Sequence, residues 1–219
     1  CKNPKGPERS YDPTEPFAVK KVLRSNVIPN THFYVSVLDK ELFEIANRLG
    51  VNTYERSEES TKEPVTLQKV FDWHDKLYRP YKHYILINAC NPLLKVKTID
   101  NFYESFRKTD SNGMFGVFEK RTFLFDSEYK MMNKFNGPDK YLATLETKFV
   151  EPTFEAAHSL YAGTLSDIKK DIYMGTFKEK GNPEFFIMDE IECFDIDWPF
   201  QFEIAETMYK QRKKLIWQK

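Results

Sequence analysis

Two acids one residue apart, Asp195 and Asp197, stand near the carboxyl-terminal end of the chain in the stretch Glu192-Cys193-Phe194-Asp195-Ile196-Asp197-Trp198-Pro199. In extended backbone alternate side chains share a side, so both carboxylates face one way and Ile196 the other. Carboxylates this close repel each other unless a cation or a basic group lies between them. Hard oxygen ligands of this kind suit Mg²⁺, an ion that commonly holds substrate phosphates as well. The same residues also read as a buried strand end whose aspartates cap the next helix, with Pro199 at or near its first position. The pair alone leaves both readings open.

Other candidates for chemistry are scattered along the chain. The continuous apolar run Tyr84-Ile85-Leu86-Ile87 predicts a strand covered on both faces. It ends in the small polar stretch Asn88-Ala89-Cys90-Asn91-Pro92, and ligands in open α/β sheets bind at such strand ends. Arg56 opens a charged loop over residues 56–63. Residues 1–15 form a basic loop with Lys2, Lys5 and Arg9, read either as a solvated tail or as an anion-binding loop ahead of a helix. His74 falls on an apolar helical stripe and reads as a packed residue rather than a catalyst.

The elements that must position these residues follow from periodicity. A helix is expected over about 15–25, a strand over 32–37, then a helix capped by Asp39 and stopped at Gly50. A short strand over 51–55 precedes a helix whose stripe is Leu67, Val70, Phe71, His74 and Leu77. After the strand at 84–87 comes a helix carrying Ile99, Phe102, Tyr103 and Phe106. Strands alternating with helices predict a parallel α/β sheet. Residues 114–119 and 122–125 then read as a hairpin opening a β-rich insertion over about 114–165. Strands return at 185–188 and 191–196, and a last helix carries Phe202, Ala205, Met208 and Tyr209 and ends in a basic run.

Composition narrows the function classes. Of 219 residues, 33 are lysine or arginine and 33 aspartate or glutamate, so no global field favours nucleic acid or an anionic membrane. No apolar run reaches membrane-spanning length. Cys1, Cys90 and Cys193 are odd in number and lack metal-type spacing, which is the pattern of a reducing, cytoplasmic setting.

Taken in order, the motifs resemble the acylneuraminate cytidylyltransferases, the CMP-sialic acid synthetase family. The family's closing D-I-D-T-x-x-D-F is matched by Asp195-Ile196-Asp197, with Gln201 where its third acid stands and Phe202 at its phenylalanine. Glu44 to Gly50 matches the helix ending in Y-G-A, Arg56 the arginine of the R-P-x-x-L-A-x-D loop, and Asn88, Asn91 and Pro92 the polar positions and second proline of L-Q-P-T-S-P. Lys2 and Lys5 stand for the basic residues of the IPAR-x-GSK loop, and Ala157-His158 for an Asn-Gly pair beside the sugar site.

The resemblance implies one α/β domain over residues 1–219 with a three-layer, Rossmann-like architecture of the nucleotide-diphospho-sugar transferase type. Its mixed, mainly parallel sheet would carry an inserted β-rich dimerisation segment. It implies transfer of CMP from CTP to an acidic sugar or a phosphorylated acceptor, with release of pyrophosphate, for surface polysaccharide synthesis by a homodimer. Lys5, Asp195 and Asp197 would be catalytic, the two aspartates holding Mg²⁺; Lys2, Lys5, Arg56, Asn88 and Asn91 would bind nucleotide. The family's first, central strand has no counterpart in this sequence and is expected upstream of Cys1. Two further readings stay open: a relative that binds nucleotide weakly without catalysis, and a glycosyltransferase using a nucleotide sugar.

Overall fold

The computed structural model describes residues 17–77 and 81–216. A short helix α1 (Phe17–Val22) leads into strand β1 (Tyr34–Val37). Helix α2 (Lys40–Arg48) begins where Asp39 accepts a hydrogen bond from the Glu41 N–H. It ends at Gly50, whose φ of +68° only glycine adopts without cost. Strand β2 (Asn52–Glu55) returns parallel to β1. The stripe expected to form one helix over 64–77 instead forms two single turns, α3 (Leu67–Val70) and α4 (His74–Leu77), broken at Phe71–Trp73. The break turns Phe71 into an aromatic cluster with Trp73, Tyr84 and Tyr173. His74 is buried with its Nε2 3.0 Å from the Leu165 carbonyl, the packed role its stripe position implied.

Strand β3 (His83–Ile87) and helix α5 (Val96–Phe106) follow, then β4 (Gly113–Lys120). Beyond an arm that holds α6 (Asp139–Leu142) come β5 (Thr153–Thr164), α7 (Leu165–Ile168), β6 (Glu184–Ile187) and the long α8 (Pro199–Ile216). The second sheet has the order β3-β5-β4-β6, with β5 antiparallel to both β3 and β4, and β6 parallel to β4. The second sheet is therefore mixed and the first parallel, in keeping with the mixed α/β reading. Alternation gives β3 two buried faces. Ile85 and Ile87 pack with Phe102, Leu160 and Met114 on the α5 side, while Leu86 packs with Tyr84, Phe71 and Leu165 on the other.

Two sequence readings change. Residues 114–119 do not pair with 122–125. β4 is instead a central strand, with Gly113 to Phe118 all buried between β5 and β6. Such pairing is non-local and leaves no mark in a local hairpin pattern. What stands apart from the sheet is the narrower arm 121–152, held by isolated bridges Phe125↔Met131 and Phe135↔Val150. Residues 191–196 are not a strand either. Glu190–Cys193 form a 3-10 turn capped by the Asp189 side chain on the Ile191 N–H, and extended backbone follows.

Gly113 and Gly163 stand directly opposite each other across β4 and β5. A Cβ at Gly113 would lie 1.8 Å from the Met174 carbonyl oxygen, and one at Gly163 would lie 2.4 Å from that of Tyr173. The glycine pair lets this segment lie flat on the sheet.

Candidate functional site

Strands β3, β4 and β6 run parallel to one another, so their carboxyl ends share one rim of the sheet. Asn88 follows β3 on that rim, and the acid pair follows β6 after the 3-10 turn. The turn is fixed by Glu192, a buried carboxylate that accepts from the Lys95 backbone N–H at 3.0 Å and from the Lys95 ammonium. This pair ties the approach to Asp195 onto the loop that starts α5. Replacing Glu192 with alanine strands that N–H and is expected to cost about 1–3 kcal/mol. Thermal melts would register this as a lowered transition, with a loosened acid segment in hydrogen exchange.

Asp195 is half-buried. Its Oδ1 accepts from its neighbour, the Ile196 N–H, at 3.0 Å and lies 3.5 Å from Asn88 Nδ2. The Ile196 N–H also reaches the Cys90 carbonyl at 3.1 Å, joining the acid segment to the β3 end. Burial, then the Asp197 charge, raise the Asp195 carboxyl above the ordinary range; the Ile196 N–H and His158 act in the opposite sense. Asp197 is exposed, and its backbone is pinned by Gln201, whose Oε1 accepts from the N–H groups of Asp197 and Trp198, each at 2.7 Å. Gln201, at the position of the family's third acid, thus serves as the reciprocal half of a helix cap, with Pro199 at the first position of α8.

The helix reading changes in part: α8 does begin at Pro199, but its start is held by Gln201 Oε1 accepting from the Asp197 and Trp198 N–H groups and not by an aspartate side chain. A dication answers the mutual repulsion of the two acids, and two carboxylates plus phosphate oxygens are the donor set Mg²⁺ takes. Among the described residues no group of three or more His, Cys, Asp and Glu gathers as a metal cage. An ion held by this pair would complete its coordination from water or from a ligand.

The sign of the Asp195 effect is testable. A raised native value means that the unfolded chain ionises first, so ionisation costs stability as pH climbs from the unfolded value through the native one. Asp195→Asn is therefore expected to melt higher than the parent at pH 7 without metal. The gain should fade below about pH 3, where the carboxyl is largely protonated in both the folded and the unfolded chain. An equal advantage at both pH values would contradict this origin.

The remaining predicted residues distribute unevenly. Arg56 donates from Nε to Ser60 Oγ at 3.1 Å and from Nη2 to the Ser60 carbonyl at 2.9 Å, and it lines a cavity together with Ser36, Asn88 and Tyr161. The Asn88 amide donates to the His158 carbonyl at 2.8 Å, and its Oδ1 accepts from the Cys90 N–H at 3.0 Å. Asn91 is buried away from that cavity, with Nδ2 3.5 Å from the Cys193 carbonyl and its Oδ1 unpartnered. Lys2 and Lys5 lie outside the described residues.

Two side chains that sequence reasoning gave no role join the site. Residues 157–160 of β5 stand opposite the single residue Gly116 of β4, a wide bulge that lifts His158 into the left-handed region at φ +48°. His158 Nδ1 lies 3.2 Å from the Tyr161 hydroxyl. Burial and the Asp195 charge push that phenol up to about 12, so it stays a hydrogen-bond donor at neutral pH. The Ala157-His158 pair was noticeable where the family carries Asn-Gly, but a bulge is defined only by strand pairing.

Two solved structures superpose on this fold. The 4-diphosphocytidyl-2C-methyl-D-erythritol synthase from Anaerococcus prevotii DSM 20548 superposes with a TM-score of 0.60 at 9% identity, over 89% of this chain and 84% of its own. A CMP:2-keto-3-deoxy-manno-octonic acid synthetase complexed with CTP gives 0.59 at 9% identity, over 93% and 90%. The chain shares the mixed α/β fold of these two enzymes. No family model and no curated protein matches the sequence. Within this shared fold the acid pair, Asn88, His158 and Tyr161 meet at the carboxyl rim, and Arg56 faces the same cavity as Asn88.

Proposed function

We propose that the protein is a nucleotidyltransferase that moves CMP from CTP to an acidic sugar or related acidic acceptor. The observation that carries this reading is the Asp195-x-Asp197 pair at the carboxyl rim of a fold shared with two proteins whose names specify cytidine nucleotides. Asp195 and Asp197 would hold Mg²⁺, which when bound neutralises phosphate charge and lowers the barrier to attack at phosphorus.

The chain's own groups would do the positioning. Arg56, braced by Ser60, sets a fixed positive charge in the cavity for an anionic ligand. Asn88 acts less as a ligand contact than as a strut, holding Asp195 against the bulge backbone. The Tyr161 hydroxyl and His158 supply hydrogen bonds beside the acids, where an acceptor oxygen would enter. That oxygen forms a bond to the α-phosphorus, the bond from this phosphorus to the bridging oxygen breaks, and pyrophosphate leaves with the electron pair. Lys2 and Lys5 are assigned to the triphosphate by the sequence resemblance alone.

The homodimer expected with this function has support in exposed Phe185 and Ile187 on edge strand β6, with exposed Phe154 of β5 beside Phe185. The deciding experiment measures pyrophosphate release from CTP and Mg²⁺ across a panel of acidic sugars. Release with none of them, together with no thermal stabilisation by CTP and Mg²⁺, would remove the assignment.

A further inference from the structure

The segment that carries the acid pair is fastened at several points to the loop between β3 and α5. Asn88 Nδ2 lies 3.5 Å from Asp195 Oδ1, the Cys90 carbonyl accepts from the Ile196 N–H at 3.1 Å, and Glu192 accepts from the Lys95 N–H at 3.0 Å. Asn91 adds a further point, with its Nδ2 3.5 Å from the Cys193 carbonyl. That carbonyl stands where the 3-10 turn ends and the extended backbone to Asp195 begins. Asn91 is 2% exposed, and its Oδ1 is buried without a hydrogen-bond partner. An unmet buried acceptor destabilises a fold, whereas a hydrocarbon side chain of similar outline avoids that cost. Packing alone would therefore be served better by leucine. What a carboxamide adds is direction, because only its NH₂ end can face a carbonyl.

We propose that Asn91 is a positioning residue for the acid pair: its buried carboxamide fixes the end of the turn against the loop, and so the place from which Asp195 and Asp197 are presented. The role differs from the nucleotide contact that the motif order implied, since Asn91 lies away from the cavity that Arg56 and Asn88 line. It rests on the reading of the pair as the metal-holding centre. Two carboxylates supply little geometry of their own, so the contacts behind them decide how they meet an ion. The Ile196 and Lys95 bonds hold the segment on either side of Cys193, and Asn91 keys the stretch between them. The pair is thereby set in place by the fold itself, ahead of any ligand.

Asn91→Leu and Asn91→Ala test it through amide exchange, thermal melting and the Mg²⁺ dependence of pyrophosphate release from CTP. Both variants are expected to speed exchange about tenfold at Ile196 and Lys95, whose N–H groups cross between the two segments, and to leave β4 unchanged. The leucine form should melt at or above the parent, and the alanine form below it because a void is left. Both should raise the Mg²⁺ concentration for half-maximal release about tenfold, with a much smaller change in the maximal rate. Unchanged exchange at Ile196 and Lys95 in both variants would overturn the proposal. So would exchange that rises there only in step with β4, which marks a packing residue, or a loosened segment with an unaltered Mg²⁺ requirement. A parent that releases no pyrophosphate with any acidic sugar would remove the reaction proposed above, and the exchange at Ile196 and Lys95 would still decide the role of Asn91.

Discussion

Replacing Asp195 and Asp197 together with asparagine is expected to lower Mg²⁺-dependent pyrophosphate release from CTP by about 10²–10³-fold, with the far-UV spectrum and cooperative melting retained. The fold should survive because neither carboxylate carries the packing around it. The Asp195 backbone segment is held by the Ile196 N–H on the Cys90 carbonyl, and Asp197 is held through its own N–H on Gln201. Activity should not survive, because asparagine is a weak Mg²⁺ ligand and carries no charge. Asp195→Asn alone should unite two opposite readouts, a higher metal-free melting point at neutral pH and lost turnover, since the same repulsion that costs stability is what an ion would relieve. Normal pyrophosphate release by the double variant would refute the role of the pair.

Phe102→Ala is expected to cost about 3–5 kcal/mol, the largest stability loss of any truncation considered. Phe102 is 0% exposed, sits on α5 within the main cluster, and meets Phe186 edge to face at 5.2 Å between ring centroids. Its removal opens a void between α5 and the strand that leads to the acid turn. At roughly 2–4 °C per kcal/mol for a chain of this size, the melting temperature should fall by about 10 °C. Turnover by the folded fraction should change far less than in the aspartate variants, separating packing from chemistry. A fall of only a degree or two would mean that the α5 contact with the sheet is looser than its burial indicates.

How much of this could be read from residue order depends on how local each feature is. The Asp39 cap, the Gly50 stop, the two-faced burial of β3 and the Pro199 helix start rest on residues within a turn or two of each other, and all were legible. The acid pair was legible as chemistry but not as geometry. The turn that presents it is set by Glu192 and Lys95, 97 residues apart in sequence. β4 was misread because its partners, β5 and β6, lie beyond an arm of some thirty residues, so a nearer hairpin partner looked sufficient. Asn91 matched a polar motif position, yet its burial against Cys193 depends on where the chain returns after β6. His158 and Tyr161 became site residues only through a mismatch in strand counting, which no single strand records.

That mismatch has a further effect. On one side of the bulge, β4 and β5 are locked from Gly113↔Gly163 to Phe115↔Tyr161, and on the other from Val117↔Ala156 to Lys120↔Thr153. The two registers are set separately, so the surplus residues between them act as a slip joint. An arm of different length or sequence could replace 121–152 and shift the outer register by a residue or more, while the inner register, and with it Asn88 and the rim, stayed in place. A fold built this way can exchange the surface of its arm without re-cutting the carboxyl rim of its sheet.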